Sequence, residues 1–105
     1  MTRLEKLQEF LKVDPADSFT RYAIALEHRS IGDLQSAVEN FQALVESDPG
    51  YVATYYMLAD CYRQQKNKEE ALSCYKKGIK EARTANDLHA VSELQAAMDE
   101  MNDEE

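Results

Sequence analysis

Apolar residues recur along this chain at helical intervals, in six separate stripes. Leu4, Leu7 and Leu11 mark one face of a first helix, which must end before Pro15 because a residue preceding proline is driven out of the α region. Asp17 or Ser18 then caps a second, with Tyr22, Ala25 and Leu26 at helical spacing, broken at Gly32-Asp33. Leu34, Val38, Phe41 and Val45 carry a third to Asp48-Pro49-Gly50, and Tyr55, Leu58, Ala59 and Tyr62 a fourth, ending in a turn from Gln64 to Asn67. Leu72, Tyr75 and Ile79 mark a fifth. Arg83 stands where the pattern had placed Pro49, so this helix is expected to continue to about Thr84, with a break at Asn86-Asp87. Leu88, Val91, Leu94, Met98 and Met101 make a sixth, its other face polar through Asp87, Glu93, Gln95, Asp99 and Glu100. Sustained alternation flanking a hairpin turn is missing everywhere, so strands are not expected.

The stripes repeat with a step of 34 residues. Asp14-Pro15 recurs as Asp48-Pro49, and Thr20, Tyr22, Ala25, Arg29 and Ala37 recur as Thr54, Tyr56, Ala59, Arg63 and Ala71. Residues of like kind follow: Ile24 with Leu58, His28 with Tyr62, Phe41 with Tyr75, Val45 with Ile79. One step back, Leu4, Leu7, Phe10 and Leu11 fall on Val38, Phe41, Leu44 and Val45, so the chain opens on half a unit. The organisation expected is one domain over 1–105: a half-repeat helix at 1–15, repeats at 18–49 and 52–84, a capping helix at 87–102 and an acidic tail at 103–105.

A 34-residue helix–turn–helix unit with these spacings resembles the tetratricopeptide repeat, whose signature runs Trp-x2-Leu-Gly-x2-Tyr, Ala-x3-Phe, Pro. The second unit reads Tyr55-x2-Leu58-Ala59-x2-Tyr62 and Ala71-x3-Tyr75; the first reads Arg21-x2-Ile24-Ala25-x2-His28, Ala37-x3-Phe41 and closes at Pro49. Arg21, His28, Leu44 and Gly78 depart from the usual residues. The resemblance, to small stand-alone bacterial-type members of the family, implies an all-α fold, a right-handed α-solenoid of antiparallel helix pairs. Small residues at Ala25, Ala37, Ala59 and Ala71 let the helices of a pair approach closely.

In that family the first helix of each unit lines a concave groove. The resemblance therefore assigns a partner-binding surface to Phe19, Tyr22, Leu26 and Arg29, then Ala53, Tyr56, Asp60 and Arg63. Members that clamp a terminal carboxylate use Lys and Asn there. Here Tyr22, Leu26 and Met57 hold the matching places, so that activity is not implied. The expected function is a scaffold holding a peptide or helix of an unidentified partner protein. The alternative is a homo-oligomer formed through the solenoid's end faces, prompted by Met98 and Met101.

Composition narrows the partner. Twelve basic against twenty acidic residues give a net charge of −8, which disfavours nucleic acid and anionic membrane. Residues 63–83 carry seven basic side chains against three acidic, whereas residues 87–105 carry seven acidic and none basic. An acidic cap lying on a basic last repeat is the simplest use of this split; a basic patch for an acidic partner is the sharper one. The tail Met101-Asn-Asp-Glu-Glu105 is expected to fray. The N-terminus lacks the unbroken apolar run of a secretory signal, so a cytoplasmic location with reduced thiols is the default expectation.

No catalytic constellation stands out in the sequence. His28 and His89 lie in distant helices, His28 at a place where the repeat packs an aromatic. Cys61 and Cys74 lie about equally far from the turn between their helices, yet no CxxC or paired histidine accompanies them, so buried free thiols are expected rather than a metal site. Glycine-rich phosphate loops, HExxH and Gly-x-Ser-x-Gly are missing. Neighbouring acids such as Glu69-Glu70 and Asp99-Glu100 point about 100° apart on a helix and read as solvated faces. The chain is read as a non-enzyme that needs no cofactor or metal.

Overall fold

The computed structural model describes residues 1–104 and contains six helices: α1 (Arg3–Val13), α2 (Ser18–Ser30), α3 (Leu34–Ser47), α4 (Ala53–Gln64), α5 (Lys68–Thr84) and α6 (Leu88–Asp103). No strand occurs among the described residues. Each helix packs on its neighbours in the chain, and the molecule measures 42 × 30 × 19 Å.

Two kinds of turn build this succession. Gly32, Lys66 and Asn86 each adopt a left-handed φ, of 86°, 62° and 57°. Beside each, backbone N–H groups return to the preceding helix: Gly32 to Arg29 and Asp33 to His28, Lys66 to Arg63 and Asn67 to Tyr62, Asn86 to Arg83 and Asp87 to Ala82. That is the Schellman closure, which satisfies carbonyls a helix end would leave unpaired. The very next residue caps the following helix: Asp33 accepts from the Ser36 N–H, Asn67 from Glu70 and Asp87 from Ala90. The second kind of turn carries Asp14-Pro15 and Asp48-Pro49, where Asp14 N–H bonds to the Phe10 carbonyl and Asp48 N–H to Leu44. α5 and α6 are therefore joined by the tight reversal, not by an Asp-Pro turn, and α5 is the longest helix at 17 residues.

Asp17 precedes α2 without a side-chain bond to a helical N–H; its carboxylate accepts the Thr20 hydroxyl at 2.5 Å instead. At the start of α1, Thr2 and Glu5 bond reciprocally in a capping box, which holds the Glu5 carboxyl below its usual range.

Ala25, Ala37, Ala59 and Ala71 have no solvent exposure and sit in one core with Phe41, Tyr55 and Tyr75. Tyr55, in the place of the signature's large aromatic, is buried and donates its hydroxyl to the Pro49 carbonyl at 2.6 Å, tying α4 to the turn before it. α6 sends Leu94, Ala97 and Met101 into the same core. Met98 also packs against it, so the terminal methionines that suggested an end-face contact are largely used inside the chain. α1 contributes no buried residue.

Candidate functional site

α2, α4 and α6 together enclose a cavity of about 270 Å³, the space along the first helix of each hairpin. Tyr22, Val52, Ala53, Tyr56 and Met57 form one side, and Asp87, His89, Ala90, Glu93 and Leu94 the other. The first set is aromatic and apolar. The second carries two carboxylates at the rim, with His89 Nε2 lying 3.2 Å from Glu93 Oε1.

Of the eight residues expected to line a groove, three are here: Tyr22, Ala53 and Tyr56. Tyr22 is half-buried, its ring centroid 5.8 Å from that of Phe41 and 5.6 Å from that of Tyr51. Burial pushes its phenol above the ordinary range, and the nearby Tyr51 adds to this. Tyr56 is 41% exposed and presents its ring to the cavity. Leu26 is half-buried against the core, and Phe19 is exposed without lining this cavity.

The three charged residues are engaged within the chain. Arg29 Nη2 bonds to the Asp60 carboxylate, which also accepts from Gln64 Nε2 at 2.9 Å. Arg63 reaches Tyr75 Oη at 3.4 Å, Glu100 Oε1 at 3.3 Å, and Glu104. Its hydrogen bond to Tyr75 is the foremost of several contacts that hold the guanidinium in its charged form. The acidic cap does lie on basic charge, through Arg63 of α4. Of the tail, Asp103 ends α6 and Glu104 is held by Arg63, where fraying was expected; Glu105 lies outside the described residues.

Val52 and the whole α6 wall were not among the expected lining, and Met57 entered it only as a place where other members carry a carboxylate-clamping residue. The sequence did hold the signal: one further step of 34 carries Ala53 to Asp87 and Tyr56 to Ala90, so α6 begins as the first helix of a third unit would.

Cys61 and Cys74 are free and buried. Burial pushes the Cys74 thiol up to about 12, and burial likewise raises Cys61. Neither suits a nucleophile or metal ligand at neutral pH. His28 is mostly enclosed, its Nδ1 3.9 Å from Asp33 and without a hydrogen-bond partner. No group of three or more His, Cys, Asp or Glu among the described residues could hold a metal ion, and no described helix is long and apolar enough to cross a membrane.

A model of the tetratricopeptide repeat matches residues 31–98, well over half the chain. The chain belongs to the tetratricopeptide repeat family. It is 40% identical to a tetratricopeptide repeat domain protein from Salinibacter ruber, with 88% of this chain and 93% of that one covered and a TM-score of 0.84. The TPR2B domain of yeast Sti1, solved in complex with pHsp70, has the same fold at 17% identity, with 97% of this chain and 82% of that one covered and a TM-score of 0.88. So does PcrH, solved with the chaperone binding region of PopD, at 14% identity, 96% and 77% coverage and a TM-score of 0.86. A comparison with curated proteins finds none that matches. Members of this family commonly mediate protein–protein interactions and are typically scaffolds without catalysis.

Proposed function

We propose that this tetratricopeptide repeat protein is a non-enzymatic interaction module that binds a short peptide segment of a partner protein in the cavity between α2, α4 and α6. The observation carrying this reading is the pairing of an exposed aromatic, Tyr56, with an apolar floor and a rim of two carboxylates in a concave space of about 270 Å³. Concave, mostly apolar sites with a few oriented polar groups are where ligands bind, and aromatics are the usual anchors of interfaces.

The rim defines the peptide's chemistry. Asp87 and Glu93 border the cavity in a chain of net charge −8, whereas Arg29 and Arg63 spend their charge on Asp60, Glu100 and Glu104. An apolar side chain flanked by Lys or Arg fits; an acidic peptide does not. PcrH and the Sti1 domain, both solved with peptide or protein partners, support the general mode and say nothing of this partner's identity. Two buried cysteines without a disulfide, Cys61 and Cys74, fit a cytoplasmic setting.

Titration of labelled peptides carrying one Leu or Phe between lysines, against the same peptides with glutamates, tests the reading. The basic set binds, more weakly as salt rises, and Ala53→Arg abolishes it. Equal binding of both sets, or binding that ignores Ala53→Arg, refutes the site.

A further inference from the structure

The two ends of the solenoid are finished differently. α6 turns Leu94, Ala97 and Met101 inward and leaves Ser92, Asp99, Asn102 and Asp103 outside, the polar outer face that stops further stacking. α1 does the reverse. Its Phe10 occupies the repeat position of Leu44, which is wholly buried, yet Phe10 is 64% exposed and its neighbour Val13 86% exposed. Five of the seven large apolar side chains exposed among the described residues belong to the first 31 positions. Within α2/α3 and α4/α5 each helix has a partner in its own pair, and no described helix takes that place on α1.

The uncovered face has an order along it. Lys6, Phe10 and Val13 follow one another at spacings of four and three, which sets them in one line on a helix, and Asp14 follows at its end; Arg3, a turn earlier, is turned to Glu27 of α2, its Nε 3.2 Å from Oε2. The N-terminal end of the line is cationic; the rest is apolar and then acidic. A second copy laid antiparallel reads the same line in reverse. Lys6 of each copy then runs beside Phe10 of the other and within reach of its Asp14, so every contact occurs twice.

We propose that two copies of this chain associate through this face of α1, as an antiparallel helix pair about a two-fold axis. Ammonium groups meet an aromatic face and a carboxylate, both attractive, while Phe10 and Val13 leave water. A two-fold contact requires a patch complementary to itself, and this one is. Head-to-tail stacking would instead set the apolar line on α6, where, among the described residues, Leu88 is the one large apolar side chain exposed. The proposal commits the self-association suggested by the sequence to the N-terminal end, and it is independent of the peptide groove. An 11-residue helix is only about 16 Å long, so the interface falls at the small end of the size range and the dimer forms at high micromolar concentration.

Sedimentation equilibrium of the purified chain, from about 5 µM to about 1 mM, reads this directly. The apparent mass climbs from one chain to two and stops there. Phe10→Asp weakens association by roughly tenfold or more, and circular dichroism reports an intact fold because Phe10 is exposed. Lys6→Glu and Asp14→Lys each weaken it alone, while an equimolar mixture of the two recovers dimer, since the mixed pair opposes unlike charges at both ends. A chain that stays monomeric throughout, a dimer indifferent to Phe10→Asp, no recovery in the mixture, or growth beyond two copies overturns the proposal.

Discussion

A Cβ placed on Gly78 would stand 2.6 Å from Cβ of Tyr55 and 3.1 Å from Cδ1 of Leu94. The repeat usually carries alanine at this position, and the glycine marks where α5 is pressed between the aromatic of α4 and the cap. Alanine normally gains about 1 kcal/mol over glycine inside a helix. Here the near atom belongs to the stem of Tyr55, so α4 and α5 must separate, at an overpacking cost of roughly 1–3 kcal/mol. Gly78→Ala is therefore expected to lower stability in urea denaturation, and any gain would contradict this packing.

Tyr22 and Tyr56 are equivalent in the repeat but not in role. Tyr22 packs edge-on and tilted against Tyr51 and Phe41, whereas Tyr56 has 41% of its surface free. Tyr22→Ala should cost roughly 2–3 kcal/mol, somewhat below a fully buried aromatic. Tyr56→Ala should stay within about 1 kcal/mol. Thermal melts of the two variants separate the residues, and only Tyr56→Ala gives a clean test of binding.

Arg63 fastens the end of α6 to α4 through Glu100 and Glu104 while touching Tyr75. The acids are exposed, so global stability should fall by no more than about 1 kcal/mol in Arg63→Met. Locally the effect is larger: amides of the last turn of α6 exchange faster, and those near Leu94 keep their protection. High salt should bring the parent chain toward the variant in the same turn. Uniform loss of protection along α6 would show that the ion pairs hold more than the end.

Alkaline pH should unfold the protein earlier than acid does harm. Cys74 moves from an ordinary value of 9.0 to about 12 because burial disfavours the thiolate. A pKa raised in the folded state stabilises fully below the unfolded value and is lost as pH rises through the folded one. Stability should thus decline between about pH 9 and 12, with Tyr22, Tyr55, Tyr62 and Tyr75, all raised by burial from 10.0, adding to the fall. On the acid side, Glu5 and Asp33 are lowered by hydrogen bonds at helix starts, from 4.5 and 3.8, so their contribution is lost only below those values. Melting temperatures across the pH range check both limbs, and Cys74→Ser should flatten the alkaline one. No flattening would remove Cys74 as a cause.

The repeat made the fold legible. Ala25, Ala37, Ala59 and Ala71 are small residues at a fixed step, and they meet in one core because only small side chains let paired helices come so close. The site was harder to read, since position in a repeat says which face a side chain starts from and not what else reaches it. Arg29 and Asp60 share that face and neutralise each other across adjacent pairs. Arg63 is claimed by a helix about 40 residues further on, a contact no local pattern announces. The α6 wall obeyed the same period as Ala53 and Tyr56, but its residues share no likeness with them, so composition hid it. Gly78 looked like a mere departure because the volume of Tyr55 matters only once both helices are packed.

Backbone amide shifts of isotope-labelled protein, followed while a Lys-flanked Leu or Phe peptide is added, bear most directly on the groove. Displacements concentrated at Ala53, Tyr56, Met57, Ala90 and Glu93, and lost in Ala53→Arg, are what the account predicts. Displacements on the opposite surface around Gln42, Tyr62 and Ser73, or none at millimolar peptide for either charge type, would contradict it.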